Sequence, residues 1–393
     1  MKLVVFGLSL SSSWGNGHAT TYRALLRAFA ARGHEVVFYE WDAPWYGGAH
    51  RDLANPEFCR LELYPSWEQV IPRAITEARE ADATLVGSYV RQGAAVIDAL
   101  AEAGVDPLFF YDIDTPVTVA QLRGPGADYL RVDQVPLFTR YLSFTGGPWL
   151  EHVLEGELGA RDARALYCSV DPEAHGPVDK DPEFEVDLAY MGTYAPDRQP
   201  VIERLLNDVA WALPKRSFLV AGPQYPDEIR WPANVRRVSH LPPSRHAAFY
   251  SSAAWQLNAT RADMVAAGWS PSVRLFEAGA CGAAILSDFW PGIDQLFVPG
   301  QELALPETTE AACALLEDTH PDDRRAMGAA LRSTIVAEHS AQRRADELES
   351  YLQTPSVLLT ARRTGSQSVR RISRRAQRPE NYELRISNYN FES

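Results

Sequence analysis

Short apolar runs alternate with amphipathic stretches along most of this chain. Leu3–Leu10 is a mainly apolar run that predicts a buried parallel strand, and His18–Arg32 carries its large apolar residues at helical spacing. Gly33 ends that helix, and Glu35–Tyr39 predicts a second strand. A strand, a helix and a strand in this order predict a parallel sheet with helices on its faces.

The same alternation continues in two series that flank a segment rich in proline and charge. The first series predicts the elements Trp67–Arg79 (helix), Ala83–Val86 (strand), Gly93–Ala103 (helix), Pro107–Tyr111 (strand), Trp149–Leu158 (helix) and Ala165–Cys168 (strand). Asp171–Glu185 holds three prolines and shows almost no apolar periodicity, which is typical of an interdomain linker. The second series predicts strands at Val186–Met191, Ser217–Ala221, Val235–Val238, Trp255–Leu257 and Ala283–Leu286, with helices at Arg198–Trp211, Ser244–Ser252, Glu310–Leu316, Asp322–Ala337 and Ala341–Leu352.

These series predict an α/β protein with two doubly wound, Rossmann-like domains that face each other across a cleft. We expect the first domain over residues 1–170, a linker over 171–185 and the second domain over 186–354. A length of 393 residues suits two domains of this size. Ligands of such sheets bind at the carboxyl ends of the strands, so we expect the functional residues there.

Composition and charge narrow the function further. The net charge is −13, but residues 355–393 hold eight arginines and three glutamates and so carry about +5, which predicts a basic, solvated tail. The acidic remainder argues against nonspecific nucleic-acid binding. No run of 18 apolar residues predicts a membrane span. The four cysteines show no paired spacing, which fits a reducing cytoplasm and argues against a disulfide framework or a metal site.

The segment Ser270–Glu302 carries the most specific signal. Ser270 and Pro271 suit a helix start, and Gly282 suits the helix end. Glu277 is a carboxylate inside this otherwise apolar helix, so it needs a partner. One interpretation is an ion pair with Arg274. The other is that Glu277 accepts hydrogen bonds from two sugar hydroxyls of a ligand, while the helix start at Ser272, Val273 and Arg274 receives phosphate oxygens.

The segment SVRLFEAGACGAAILSDFWPGIDQLFVPGQE resembles the nucleotide-sugar segment of GT-B glycosyltransferases, in particular CgeB-like proteins with a "glycosyl transferases group 1" C-terminal domain. The resemblance spans roughly residues 3–340. It implies a GT-B fold, an activity that uses a nucleotide-diphosphate sugar, and a donor ribose held by Glu277. Related retaining enzymes carry a second glutamate eight residues earlier, where this chain has Trp269, so the stereochemical outcome stays open.

A glycine-rich loop, Gly15-Asn16-Gly17-His18, lies between the first strand and helix. A dinucleotide fingerprint would need glycine where Thr20 stands, and the Gly-Lys-Ser/Thr of a phosphate loop is missing. The loop resembles the N-terminal Gly-His loop of many GT-B enzymes, which implies that His18 deprotonates the acceptor hydroxyl. A purely structural histidine is the alternative.

Asp112 and Asp114 form a D-x-D pair after an apolar strand. Two such carboxylates are able to share a divalent cation, as in the GT-A class. The paired-domain layout favours GT-B instead, for which we expect no metal or other cofactor. Either carboxylate then orients His18 or replaces it as the base, or both are ordinary residues at the end of a strand.

Three further strand ends supply candidates for donor binding. Gly192, Thr193 and Arg198 follow the first strand of the second domain and suit contacts with phosphate. Gly222 and Tyr225 suit a corner for the nucleobase. Arg261 ends another strand, where it reaches either the diphosphate or a neighbouring carboxylate.

The residues and the resemblance together predict a cytoplasmic, bacterial glycosyltransferase with an unknown acceptor and no nucleic-acid partner. Two alternatives are a non-catalytic protein that binds sugar nucleotides and a GT-B-fold epimerase. The sequence specifies neither the nucleobase and sugar of the donor nor the oligomeric state.

Overall fold

Two all-parallel β-sheets organise the residues that the computed structural model describes, which are 1–13, 17–44 and 50–353. The first sheet has seven strands in the order β3-β2-β1-β4-β5-β6-β7, and the second has five in the order β10-β9-β8-β11-β12. The strands are β1 Lys2–Gly7, β2 Glu35–Trp41, β3 Arg60–Tyr64, β4 Ala83–Gly87, β5 Leu108–Asp112, β6 Arg140–Ser143, β7 Ala163–Ala165, β8 Leu188–Met191, β9 Phe218–Ala221, β10 Val235–Val238, β11 Trp255–Asn258 and β12 Ile285–Ser287.

Helices connect these strands. They are α1 Gly17–Ala31, α2 Trp67–Arg79, α3 Gly93–Glu102, α4 Thr115–Arg123, α5 Gln199–Ile202, α6 Asp208–Ala212, α7 His246–Ser252, α8 Ala262–Ala267, α9 Val273–Ala280, α10 Ile293–Leu296, α11 Thr309–Asp318, α12 Pro321–Glu338 and α13 Ala341–Gln353. Shorter or wider helical turns occupy Val132–Leu137, Leu150–Glu157, Glu203–Asn207 and Pro243–Arg245. Among the described residues, no helix is both long enough and apolar enough to span a membrane.

The apolar runs become the central strands because they are covered on both faces. In β1, Val4, Val5 and Phe6 have no solvent exposure. The helical spacing in α1 buries Tyr22, whose ring meets Phe38 of β2 edge to face at 5.3 Å. Burial of this kind stabilises the sheet by about 25 cal/mol for each Å² of apolar surface removed from water.

Several elements differ from their predicted bounds. The sequence does not predict the strands β3 and β6 or the helices α4, α8 and α10. Strand β3 is a half-exposed edge strand, and β6, α8 and α10 have only four, six and four residues. The predicted helix Arg198–Trp211 divides into α5, a wider turn and α6. The predicted strand Ala165–Cys168 ends earlier, at Ala165.

The last helix returns to the first sheet. Helix α13 packs against α1, and Arg32 of the α1 end forms ion pairs with Asp346 and Glu349 of α13. A backbone bridge joins Val170 to Ser340 just before this helix. The predicted tail at residues 355–393 lies outside the described residues, and the predicted domain limits stay predictions.

Candidate functional site

The segments that follow the strands of both sheets meet directly. Oγ of Ser270 and Oγ1 of Thr145 share a hydrogen bond of 2.9 Å, and the amide of Gly146 donates to the carbonyl oxygen of Trp269 at 2.8 Å. Helices α4 and α8 also contact each other. The carboxyl ends of the two sheets therefore border one cleft, which is where α/β sheets bind ligands.

His18 and Asp114 lie together on the first sheet's side of this cleft. His18 is the second residue of α1, and Asp114 precedes α4. Nε2 of His18 is 3.8 Å from Oδ2 of Asp114, and the two side chains are 16% and 27% exposed. Tyr89 donates its hydroxyl to Oδ2 of Asp114 at 3.2 Å, and its ring meets the imidazole edge to face at 5.2 Å. The predicted loop residues Gly15 and Asn16 lie outside the described residues, whereas Gly17 begins α1.

The electrostatic surroundings keep Asp114 ionised. Burial raises the pKa of this carboxyl, but hydrogen bonding and charge from His18, the charge of Arg261 and the hydroxyl of Tyr89 lower it by more, so its pKa lies below the ordinary value. Arg261 belongs to the second sheet's side of the cleft, after β11. The groups that lower the pKa of Asp114 therefore come from both sides of the cleft.

Asp112 does not share this surface. It has no solvent exposure, Tyr141 donates a short hydrogen bond to Oδ2, and Thr118 donates to Oδ1 at 2.9 Å. Burial raises the pKa of Asp112 to about 6, although these hydrogen bonds oppose the shift. The D-x-D pair is thus divided, with Asp112 tied into the interior and Asp114 facing His18.

The ends of β8 and β9 approach each other closely on the second sheet's side of the cleft. A Cβ atom on Gly222, whose φ is +149°, would lie 2.0 Å from the carbonyl oxygen of Gly192, so glycine is required there. Tyr225 donates its hydroxyl to the same carbonyl at 3.1 Å, and the Arg237 guanidinium lies 4.3 Å from the Tyr225 ring centroid. These contacts make Tyr225 a support for Gly192, and its predicted stacking on a nucleobase stays a prediction.

Two arginines flank this corner. One terminal nitrogen of Arg198 donates to the carbonyl oxygen of Thr193 at 2.8 Å, while among the described residues its buried Nε has no hydrogen-bond partner. Arg261 lies 3.3 Å from Oδ2 of Asp197, which matches the predicted alternative of an ion pair. Both guanidinium groups stand beside strand ends, where a phosphate would gain charge-assisted hydrogen bonds.

Hydrogen bonds from side chains hold the start of α9 in place. Ser272, not Ser270, is the residue that precedes the helix, and its hydroxyl donates to Oδ1 of Asn258 at 2.6 Å. Arg274 donates to the same oxygen at 3.1 Å and to the carbonyl oxygen of Met191 at 2.7 Å. This network ties the helix start, which includes Val273, to the ends of β8 and β11.

Arg274 is therefore engaged away from Glu277, and the ion pair considered between them does not form. Glu277 is 8% exposed and accepts a hydrogen bond of 3.1 Å from Tyr250. Its second oxygen lies 3.8 Å from Nε2 of His175. Burial and the neighbouring Glu277 raise the pKa of Tyr250 well above its ordinary value, so this tyrosine stays a hydrogen-bond donor.

The sequence does not predict the site contacts of four residues in the cleft region. Tyr89 and Trp269 both adopt positive φ, at 63° and 42°, which is unusual for such large side chains and places them beside His18 and between the two sheets. His175 lies in the predicted linker, and His246 begins α7. The spacing to Glu277 identifies Trp269 only as the residue at the place of a second glutamate. The other three carry no spacing signal, because each meets its partners through long-range packing.

Residues 198–350 match the family described as Glycosyl transferase-like. No curated protein matches the chain in sequence. Sucrose-phosphate synthase from Thermosynechococcus elongatus superposes with a TM-score of 0.65 at 16% identity, over 92% of this chain and 100% of that chain. HepE from Anabaena, in complex with UDP and glucose, gives 0.64 at 14% identity, over 90% and 99%. A glycosyltransferase from Rickettsia africae gives 0.58 at 10% identity, over 90% and 97%.

The fold is therefore GT-B, as the sequence predicts. Together with the family match, this fold identifies the chain as a glycosyltransferase. The family match begins at Arg198 and contains α9, so it includes Glu277 and the arginines at 261 and 274.

Proposed function

We propose that this protein transfers a sugar from a nucleotide-diphosphate sugar to an acceptor hydroxyl, with a uridine nucleotide as the first candidate. The support for uridine is the structural neighbour from Anabaena, which is described in complex with UDP and glucose. We assign the chain to the CgeB-like group on the sequence resemblance. The four free cysteines suit a cytoplasmic enzyme.

In this proposal the second sheet's side of the cleft binds the donor. Glu277 holds the ribose hydroxyls, and the start of α9 at Ser272, Val273 and Arg274 receives the diphosphate, because a helix start favours anions. Arg198 and Arg261 add positive charge at the neighbouring strand ends. Three arginines around one diphosphate supply the charge that a metal would otherwise provide, so we propose a reaction that needs no metal.

On the first sheet's side, His18 takes the proton of the acceptor hydroxyl. Asp114 orients the imidazole and stabilises the imidazolium that forms. The observation that carries the proposal is this pair, which faces a cleft whose other side belongs to the matched glycosyltransferase domain. Domain closure would exclude water and so limit hydrolysis of the donor.

The first experiment is a thermal-shift comparison of UDP, GDP, dTDP, CDP and ADP, each with Mg²⁺ and with a chelator. It uses the wild type, Glu277→Gln and the matched control Glu317→Gln, which changes an exposed glutamate of α11. We expect one nucleotide to stabilise the wild type and the control equally in both buffers, and to lose its effect in Glu277→Gln.

Other results would redirect the assignment. No shift with any nucleotide would support a protein without a donor site, and a shift that requires Mg²⁺ would contradict the metal-free proposal. Incubation of the sugar nucleotide without an acceptor distinguishes the epimerase, because an epimerase would convert the donor alone.

A further inference from the structure

Two histidines and a glutamate meet beside the helix α9. The candidate ligand atoms of His175, His246 and Glu277 all lie within 4.8 Å of one another. They come from three separate segments: the turn after Asp171, the start of α7 and the second turn of α9. The cluster is therefore a product of the fold and not of one local motif.

The surroundings of the cluster suit a metal ion. His175 is 7% exposed, and among the described residues its Nδ1 has no hydrogen-bond partner. Nε2 of His246 lies 3.3 Å from the carbonyl oxygen of Leu241, and a proton donated there leaves the lone pair on Nδ1. Neutral imidazole is the form that binds metals.

Glu277, the third residue of the cluster, also accepts a hydrogen bond from outside the cluster. Tyr250 donates to Oε2 of Glu277, while Oε1 faces His175. Ligand carboxylates and histidines in metal sites are usually held by such outer hydrogen bonds. Two imidazoles and a carboxylate are a common ligand set for zinc, with a fourth position left for water.

We propose that His175, His246 and Glu277 bind a divalent transition-metal ion of the zinc class, and that the nucleotide donor displaces this ion. The displacement rests on the proposed function, because Glu277 cannot serve the metal and the ribose hydroxyls at the same time. The ion is then an inhibitor of donor binding and takes no part in the transfer. Metal excess would slow the enzyme, and a chelator would restore it.

The test uses Co²⁺, whose visible absorption reports coordination, and Zn²⁺ as the competitor. The full-length protein is stripped with a chelator, dialysed and titrated with Co²⁺ alone. We expect one equivalent to bind with the intense visible band of a four-coordinate site, and Zn²⁺ to remove the band. His175→Ala and His246→Ala should each raise the dissociation constant for Co²⁺ by about tenfold to 100-fold or more. The matched control is His152→Ala, whose side chain is 82% exposed and pairs with Glu157 outside the cluster, and it should bind like the wild type.

A second arm separates this inference from the proposed function. UDP is titrated into the Co²⁺-loaded wild type, and independently into metal-free wild type in the presence of a chelator. Loss of the visible band on addition of UDP supports displacement.

Absence of a band, or a band that both histidine variants retain, overturns the metal site while UDP binding in chelator remains measurable. A band that persists when UDP binds overturns displacement. If UDP fails to bind in chelator, the proposed donor site fails, and the Co²⁺ titration still decides the metal site.

Discussion

Nε2 of His18 lies 3.8 Å from Oδ2 of Asp114, although 96 positions in the sequence separate the two residues. Parallel strands create this proximity, because β1 and β5 both end at the same edge of the first sheet and flank β4. Tyr89, which follows β4, completes the arrangement by donating to the same carboxylate oxygen. The proposed function gives His18 the role of base and Asp114 the role of the carboxylate that orients it.

We expect His18→Ala to lower kcat by about 10² to 10⁴, since a positioned general base contributes this much to proton transfer. Binding of the nucleotide should not change, because His18 lies on the side of the cleft that we propose for the acceptor. The measurement is steady-state turnover together with calorimetric binding of UDP. His152→Ala, an exposed histidine of the same half, is the control. Full activity in His18→Ala would move the role of base to Asp114.

The pH dependence tests the role of Asp114. Its lowered pKa means that the carboxylate is charged throughout the range from pH 5 to 9. Asp114→Asn removes this charge beside the imidazole of His18, so kcat should fall at every pH in that range, by up to about 10⁴. The measurement is kcat from pH 5 to 9, and Asp133→Asn, an exposed carboxylate, is the control. A kcat equal to that of the wild type at every pH would show that Asp114 does not act through His18.

The sequence was sufficient for the fold because its signals are local. Apolar runs, helical spacing and a proline-rich linker each depend on neighbouring residues, and they correctly predict two parallel sheets with helices on their faces. The same applies to the positions of His18 at the start of α1, Gly192 after β8 and Glu277 inside α9. Elements with weak periodicity, such as the exposed edge strand β3 and the six-residue helix α8, gave no comparable signal.

The partners of the site residues required the structure. Sequence spacing suggests Arg274 for Glu277, one turn apart on the same helix, but Arg274 is held by Met191 and Asn258 from two strand ends. Tyr250 and His175 take its place through contacts that no local pattern encodes. Likewise, the sequence gives no reason to prefer either aspartate of the D-x-D pair. Only the structure distinguishes them, because it buries Asp112 completely.

The indole of Trp269 offers a test of the contact between the two sheets. A Cβ atom on Gly147, whose φ is +67°, would lie 2.3 Å from Cδ2 of this indole. Gly147→Ala should therefore cost about 1–2 kcal/mol for the left-handed backbone and about 1–3 kcal/mol more for overpacking, measured as the free energy of unfolding in urea.

Gly300 provides the matched control for that substitution. Its φ is +79°, and among the described residues no atom lies within 4 Å of the place that a Cβ atom would take, so Gly300→Ala should carry only the backbone cost. In a Trp269→Ala background, Gly147→Ala should then cost about as much as Gly300→Ala, because the indole is gone. Equal costs for the two glycine variants in the wild-type background would contradict the contact.

Asp112 makes stability depend on pH in a direction opposite to that of most carboxylates. Burial raises its pKa to about 6 in the folded protein, above the ordinary value of 3.8. Between pH 4 and 6 the folded state therefore holds a proton that the unfolded chain has released, so this contribution is present at low pH and is lost as the pH rises through 6. The difference in unfolding free energy between wild type and Asp112→Asn should fall by on the order of 1–3 kcal/mol from pH 4 to 7, as measured by urea titration at each pH.

Asp133→Asn is the control: hydrogen bonding to Arg131 lowers the pKa of that exposed carboxyl, so its titration lies below this interval. A difference for Asp112→Asn that stays constant with pH would show that the buried carboxyl is already ionised at pH 4.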